Sequence, residues 1–125
     1  MRVADRVDTA IDLSVVGTTN GAAFGLDHLE GYSMTFVSTG TCAGTVKLQA
    51  SNDAFTGNVG ITTPESGTST WVDITGSSNA VNNATTVLWN TSGAYYRAVR
   101  WVYVRTSSTG TPTAVVTIHA KGPNS

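Results

Sequence analysis

The chain has one cysteine, few charged residues and no long apolar run. With Cys42 alone, no intrachain disulfide can form. The opening MRVADRVD is polar, and no apolar segment is long enough for a signal peptide or a membrane span, so synthesis in a cytoplasm without the usual export is expected. On that expectation NAT at Asn83 and NTS at Asn90 are chance matches to the glycosylation pattern. Charged residues make up 12% of the 125 positions, about half the usual share. The net charge of −1 lacks the basic footprint of a general nucleic-acid binder. So little charge also gives weak protection against self-association, which suits a component of an assembly.

What is present is Ser and Thr, roughly a quarter of the chain, together with 13 Gly and well-represented Val, Ile, Trp and Tyr. That mixture fits pleated surfaces rather than disorder. Tyr32, Met34 and Phe36 share one face of GYSMTFVST, and Val46, Leu48 and Ala50 share one face of TVKLQAS. Such period-two alternation marks half-buried strands, and Gly40 and Gly44 bracket a turn that predicts a hairpin between them. Further strands are expected near Ile11–Val16, in WVDIT, in TTVLWN, in YYRAVRWVYVRT and in TAVVTIHAK, with SSTGTP as a turn and GSSNAVNN as a loop. AAFGLDHLEG reads as a short helical turn or a loop, and no segment carries a sustained helical stripe. The expectation is an all-β, two-sheet antiparallel β-sandwich of about eight strands. An N-terminal arm is expected over 1–10, the sandwich over 11–122 and a C-terminal tail over 123–125.

The stretch from Tyr95 to Thr106 is not a clean alternator. Arg97, Val99, Trp101 and Tyr103 share one parity, and Ala98, Arg100, Val102 and Val104 the other. Either a bulge switches faces midway, or one face packs the core and the other meets a partner.

Catalytic signals are sparse. His28 and His119 have no nucleophile-elbow or Cys/His signature around them. Asp27, His28 and Glu30 stand close together, but a polar loop or capped turn explains them better than a metal site. Asp53 and Asp73 would form a carboxylate pair on neighbouring strands, yet Asp53 follows Asn52 at a turn, where its side chain bonds local backbone. GTCAG lacks the Lys and the strand-to-helix setting of a phosphate loop. Trp71, Trp89, Trp101 and Tyr95–Tyr96 would serve as a sugar-stacking platform, although such aromatics more often anchor cores and interfaces. No catalytic residue, metal or cofactor is expected.

The order VKLQASND, WVDITGSS, YYRAVRWVYVRTSSTGTPTAVVTIHAKG resembles small jelly-roll virion proteins of tailed bacteriophages, over roughly residues 45–122. The matching positions are Ser51, Asn52, Asp53, Trp71, Asp73, Ile74, Arg97, Val99, Arg100, Gly110 and Thr111, with Trp101 in the same strand. The chain departs from the pattern between Asp53 and Trp71, where about fifteen extra residues are inserted; loop closure tolerates this, and such a loop is where a specific contact is placed. The resemblance implies a non-enzymatic virion structural protein made in the host bacterial cytoplasm. Its expected form is a capsid decoration or cement protein, docking on the capsid exterior as a trimer. The partners implied are the major capsid protein and copies of itself, with no nucleic acid and no membrane. Contact is expected through the arm residues Val3, Val7 and Ile11 and the inserted residues Phe55, Val59 and Ile61. A tail- or neck-associated role is the alternative. So is a discoidin-like carbohydrate-binding module engaging host glycans, because RAVRW is similar to a strand of those sandwiches.

Overall fold

Two long strands organise the molecule. In the computed structural model, which describes residues 3–26, 29–52, 70–93 and 96–122, β4 spans Gly31–Ser51 and β8 spans Ala98–Lys121. They pair antiparallel along their whole length, from Gly31 opposite Lys121 to Ser51 opposite Ala98. Among the described residues six shorter strands join the same sheet: β1 (Val3–Asp12), β2 (Thr18–Asn20), β3 (Phe24–Gly25), β5 (Val72–Asp73), β6 (Asn79–Asn82) and β7 (Thr86–Thr91). β1, β2 and β3 line the free side of β8, and β5, β6 and β7 line the free side of β4.

The all-β antiparallel class is as expected, but the layering has its own origin. All eight strands of the described residues belong to one hydrogen-bonded sheet. This sheet folds over near the middle of the β4–β8 ribbon, and its two halves face each other. Phe36, in the first half of β4, lies 5.8 Å from the Trp101 ring and 6.2 Å from the Tyr103 ring, both in the first half of β8. Phe36 is paired in register with Val116 instead, so these contacts cross the core. Met34, Phe36, Val46, Leu48, Val99, Tyr103, Val116 and Ile118 are buried between the halves.

The corner explains two differences from the sequence expectation. Gly40 and Gly44 do not close a hairpin, and SSTGTP does not reverse the chain; both segments lie inside long strands that bend together. Gly40 has φ +93, and a Cβ there would stand 2.9 Å from the Cα of Pro112, so the bend needs glycine. Five steps along β4, from Thr39 to Gly44, face eight steps along β8, from Thr113 to Arg105. The odd excess flips the parity of β8. Val99, Trp101 and Tyr103 point inward before the corner, and Pro112, Ala114, Val116, Ile118 and Ala120 after it.

Pairing runs without a shift from Ala98 to Val104, so no bulge switches faces midway through that stretch. On its second parity Val102 is 3% exposed and is therefore covered within the chain itself.

The expected arm is instead strand β1. Val3–Asp8 and Ile11–Asp12 pair with β8, separated by a one-residue bulge at which Ala10 has φ 55. The bulge changes which residues face inward: Val3 and Val7 point out, whereas Ile11 packs against the core. Arg6 sits on the core side at the sheet edge and is 6% exposed. Its Nη1 and Nη2 donate to the carbonyls of Ala23 (2.8 Å) and Ala22 (2.9 Å), and its Nε lies 3.2 Å from Asp8. The guanidinium also lies 5.2 Å from the centre of the Phe24 ring. It thereby joins β1, at the edge of one half, to the β2–β3 segment at the edge of the other. Burial pulls its pKa down, with Asp8 opposing.

GSSNAVNN, expected as a loop, contains β6, which buries only Val81. WVDIT supplies just the two-residue β5. That short strand nonetheless pairs with VKLQAS, Gln49 opposite Asp73 and Ala50 opposite Val72.

Burial, and then the neighbouring Cys42 thiol, push the Tyr103 hydroxyl from 10.0 up to about 12. Tyr96 is raised as well, by burial and by its contact with Tyr32. A phenol held protonated in the fold but released on unfolding makes the unfolded state bind fewer protons above its ordinary pKa. Stability is therefore expected to be unaffected by these groups below about pH 10 and to fall as pH rises from there toward 12. Urea midpoints measured across that window test this, and Tyr103→Phe should flatten the slope.

Candidate functional site

The outer side of each half carries a different kind of surface. On the half formed by β1, the end of β8, the start of β4 and β7, register sets the residues in cross-strand rows. Val7, Thr117, Thr35 and Leu88 form one row. Val115, Val37 and Thr86 form part of the next. None of these seven residues is charged. Leu88 is 62% exposed, Val7 58% and Val115 39%, so this is an open, uncharged face of Val, Thr and Leu. On one side it is bordered by the row Asp5, His119, Ser33 and Asn90, in which Asp5 contacts the His119 ring.

The other half presents a polar network. Asp73 Oδ2 accepts from Lys47 Nζ at 2.9 Å, and Asp73 Oδ1 accepts from Gln49 Nε2 at 2.9 Å. Gln49 Oε1 in turn accepts from Arg100 Nε (3.0 Å) and Nη2 (2.8 Å). The Arg100 guanidinium lies 4.3 Å from the centre of the Trp71 ring. The Gln49 amide first, and Lys47 second, hold the Asp73 carboxyl below its ordinary range. Of the residues tied to the phage-like pattern, Trp71, Asp73 and Arg100 are thus brought together across β5, β4 and β8. Val99 and Trp101 lie in the core, and Asn52 is exposed at the end of β4.

Phe55, Val59, Ile61 and Asp53 lie outside the described residues, as do Asp27, His28 and Tyr95. Trp89 is 7% exposed and donates its indole N–H to Ser77 O at 2.8 Å, and one face of Trp71 is occupied by Arg100. Trp101 is buried against Gly21. These tryptophans therefore do not form an open stacking platform.

Leu88, Val115 and Gln49 were not singled out from sequence. A signal for the first two exists. Val87 and Trp89 occupy the core parity of β7, and Ala114 and Val116 that of β8, which leaves Leu88 and Val115 as apolar residues at positions that should be polar. Gln49 had none, because its role depends on which strand lies beside it.

Comparison with solved structures finds a similar fold elsewhere. The SPBc2 prophage-derived protein YomS superposes with a TM-score of 0.50 at 19% identity, over 95% of this chain and 96% of that one. At that identity the likeness concerns the fold. A Bacillus endospore appendage protein of disulfide-linked pili (TM-score 0.47, 11% identity, 95% of this chain and 88% of that) and the Tobacco streak virus coat protein (0.46, 6%, 98% and 88%) are less similar. The sequence matches no protein family and no curated relative.

Proposed function

We propose that the chain is a non-enzymatic phage virion structural protein that decorates the capsid exterior and stabilises the lattice. The observation that carries this reading is the uncharged face around Val7, Thr117, Thr35, Leu88, Val37 and Val115. Such a face loses little on desolvation and, held by a continuous sheet, presents a preformed contact. The fold shared with a prophage-derived protein supports the same class. Val3 and Val7 keep the contact role expected of them, now as exposed strand residues, while Ile11 is committed to the core. Docking as a trimer would multiply a modest contact across the lattice. The host-glycan partner moves away from Trp71 and Trp89 and is taken up below.

Removing residues 1–10 would delete a structural strand, so point changes give the cleaner test. The double variant Val7→Glu, Leu88→Glu should fold normally, because both side chains face solvent. It should lose at least about tenfold in affinity for assembled capsids of the parent phage, since each new carboxylate must be desolvated on docking. Co-sedimentation with capsids and mass determination of the free protein read this out. A monomer at high concentration that ignores capsids would sink the proposal, and selective binding to tail or neck particles would move the protein there.

A further inference from the structure

A trough of about 410 Å³ opens where the start of β4, the end of β7 and the end of β8 meet. Glu30, Ser33, Asn90, Ser92, His119 and Lys121 supply its polar groups. The sheet places them: Ser33 stands in register with Asn90 on one side and His119 on the other. The Glu30 N–H bonds Lys121 O at 2.8 Å, which ties one rim to the other. A Cβ on Gly31 would stand 2.8 Å from the Thr91 carbonyl oxygen, so the main chains of β4 and β7 approach closely there and glycine is required.

The groups are positioned but not consumed. Among the described residues, no hydrogen bond or ion pair within the chain engages the side chains of Ser33, Asn90, Ser92, Lys121 or Glu30. One carboxylate, Glu30, and one ammonium, Lys121, line the trough, so neither an anion nor a cation is favoured by the formal charges of its lining. Hydroxyl and carboxamide groups, in contrast, both donate and accept. Groups that do both, in a roomy and electrically balanced recess, match a ligand whose own groups do both. We propose that the trough binds a neutral saccharide unit through Ser33, Asn90 and Ser92. This goes beyond docking on a capsid. The site is tested on the isolated chain, so either proposal can fail without the other.

The experiment is a heteronuclear NMR titration of the full 15N-labelled chain with glucose, galactose, mannose and N-acetylglucosamine separately, and with inorganic phosphate. At least one sugar should shift the backbone amides of Ser33, Asn90 and Ser92 saturably in the millimolar range. Asn90→Ala should weaken that binding about tenfold, the loss expected for one or two hydrogen bonds. Val16→Ala, at an exposed site in the other half, should leave it unchanged. Three results would each overturn the assignment: no saturable shift with any of the four sugars, shifts that survive Asn90→Ala intact, or phosphate saturating the same amides.

Discussion

Arg6→Met is expected to lower the stability of the fold by about 3 kcal/mol, read as a drop in urea midpoint at unchanged slope. Methionine replaces most of the stem, so little volume is lost. What goes is the pair of charge-assisted hydrogen bonds to Ala22 O and Ala23 O. Ala23 is 3% exposed, so its carbonyl is left without water to replace the guanidinium. The ion pair with Asp8 matters less, because that carboxylate keeps contact with solvent. Arg6→Lys should recover only part of the loss. An ammonium retains the charge but lacks the planar fork that reaches two adjacent carbonyls. An unchanged midpoint for Arg6→Met would show that the two edges of the sheet are held by packing alone.

Gly44→Ala should cost about as much or more, for a reason unrelated to dihedral angles. The Cβ would stand 2.3 Å from the Val104 carbonyl oxygen and 3.0 Å from the Tyr103 ring tip. The nearest obstacle is main chain of the paired strand, so no rotamer change relieves it. β4 and β8 must separate at the corner, and overpacking of this kind costs about 1–3 kcal/mol or more. Gly110→Ala provides the contrast. Gly110 has φ +72 with nothing within 4 Å of its would-be Cβ, so only the left-handed backbone opposes it. That penalty is about 1–2 kcal/mol. A midpoint for Gly44→Ala no lower than that of Gly110→Ala would mean that the corner yields easily.

Arg6 and Gly44 both lie where sequence reading ran out, although the inward faces of the neighbouring strands were legible. The alternation of Tyr32, Met34 and Phe36, and of Val46 and Leu48, assigns inward faces correctly because period two is a local property. Whether Gly40 and Gly44 close a hairpin or let one strand turn a corner is not local. Gly and Thr suit both, and the difference lies in which distant strand supplies the hydrogen bonds, here β8. β1 was hidden by its charges: Asp5, Arg6 and Asp8 interrupt the apolar period, and Arg6 is a core residue only because two carbonyls from the far edge meet it. Of the polar network, Trp71, Asp73 and Arg100 were legible through the phage-like pattern, and Gln49 was not, because its function exists only once β4 lies between β5 and β8.

The pairing of Val3 with Lys121 has a mechanical consequence. β1 and the end of β8 run antiparallel and leave the sheet at the same rim. A load applied between Val3 and Lys121 therefore falls on one rung at a time, peeling the seam from its open end. Load entering through the broad side of the sheet is shared by many rungs at once. A lattice that grips this chain by the face of the sheet would engage it where it is strongest, whereas tethers attached at the rim would tear it most readily.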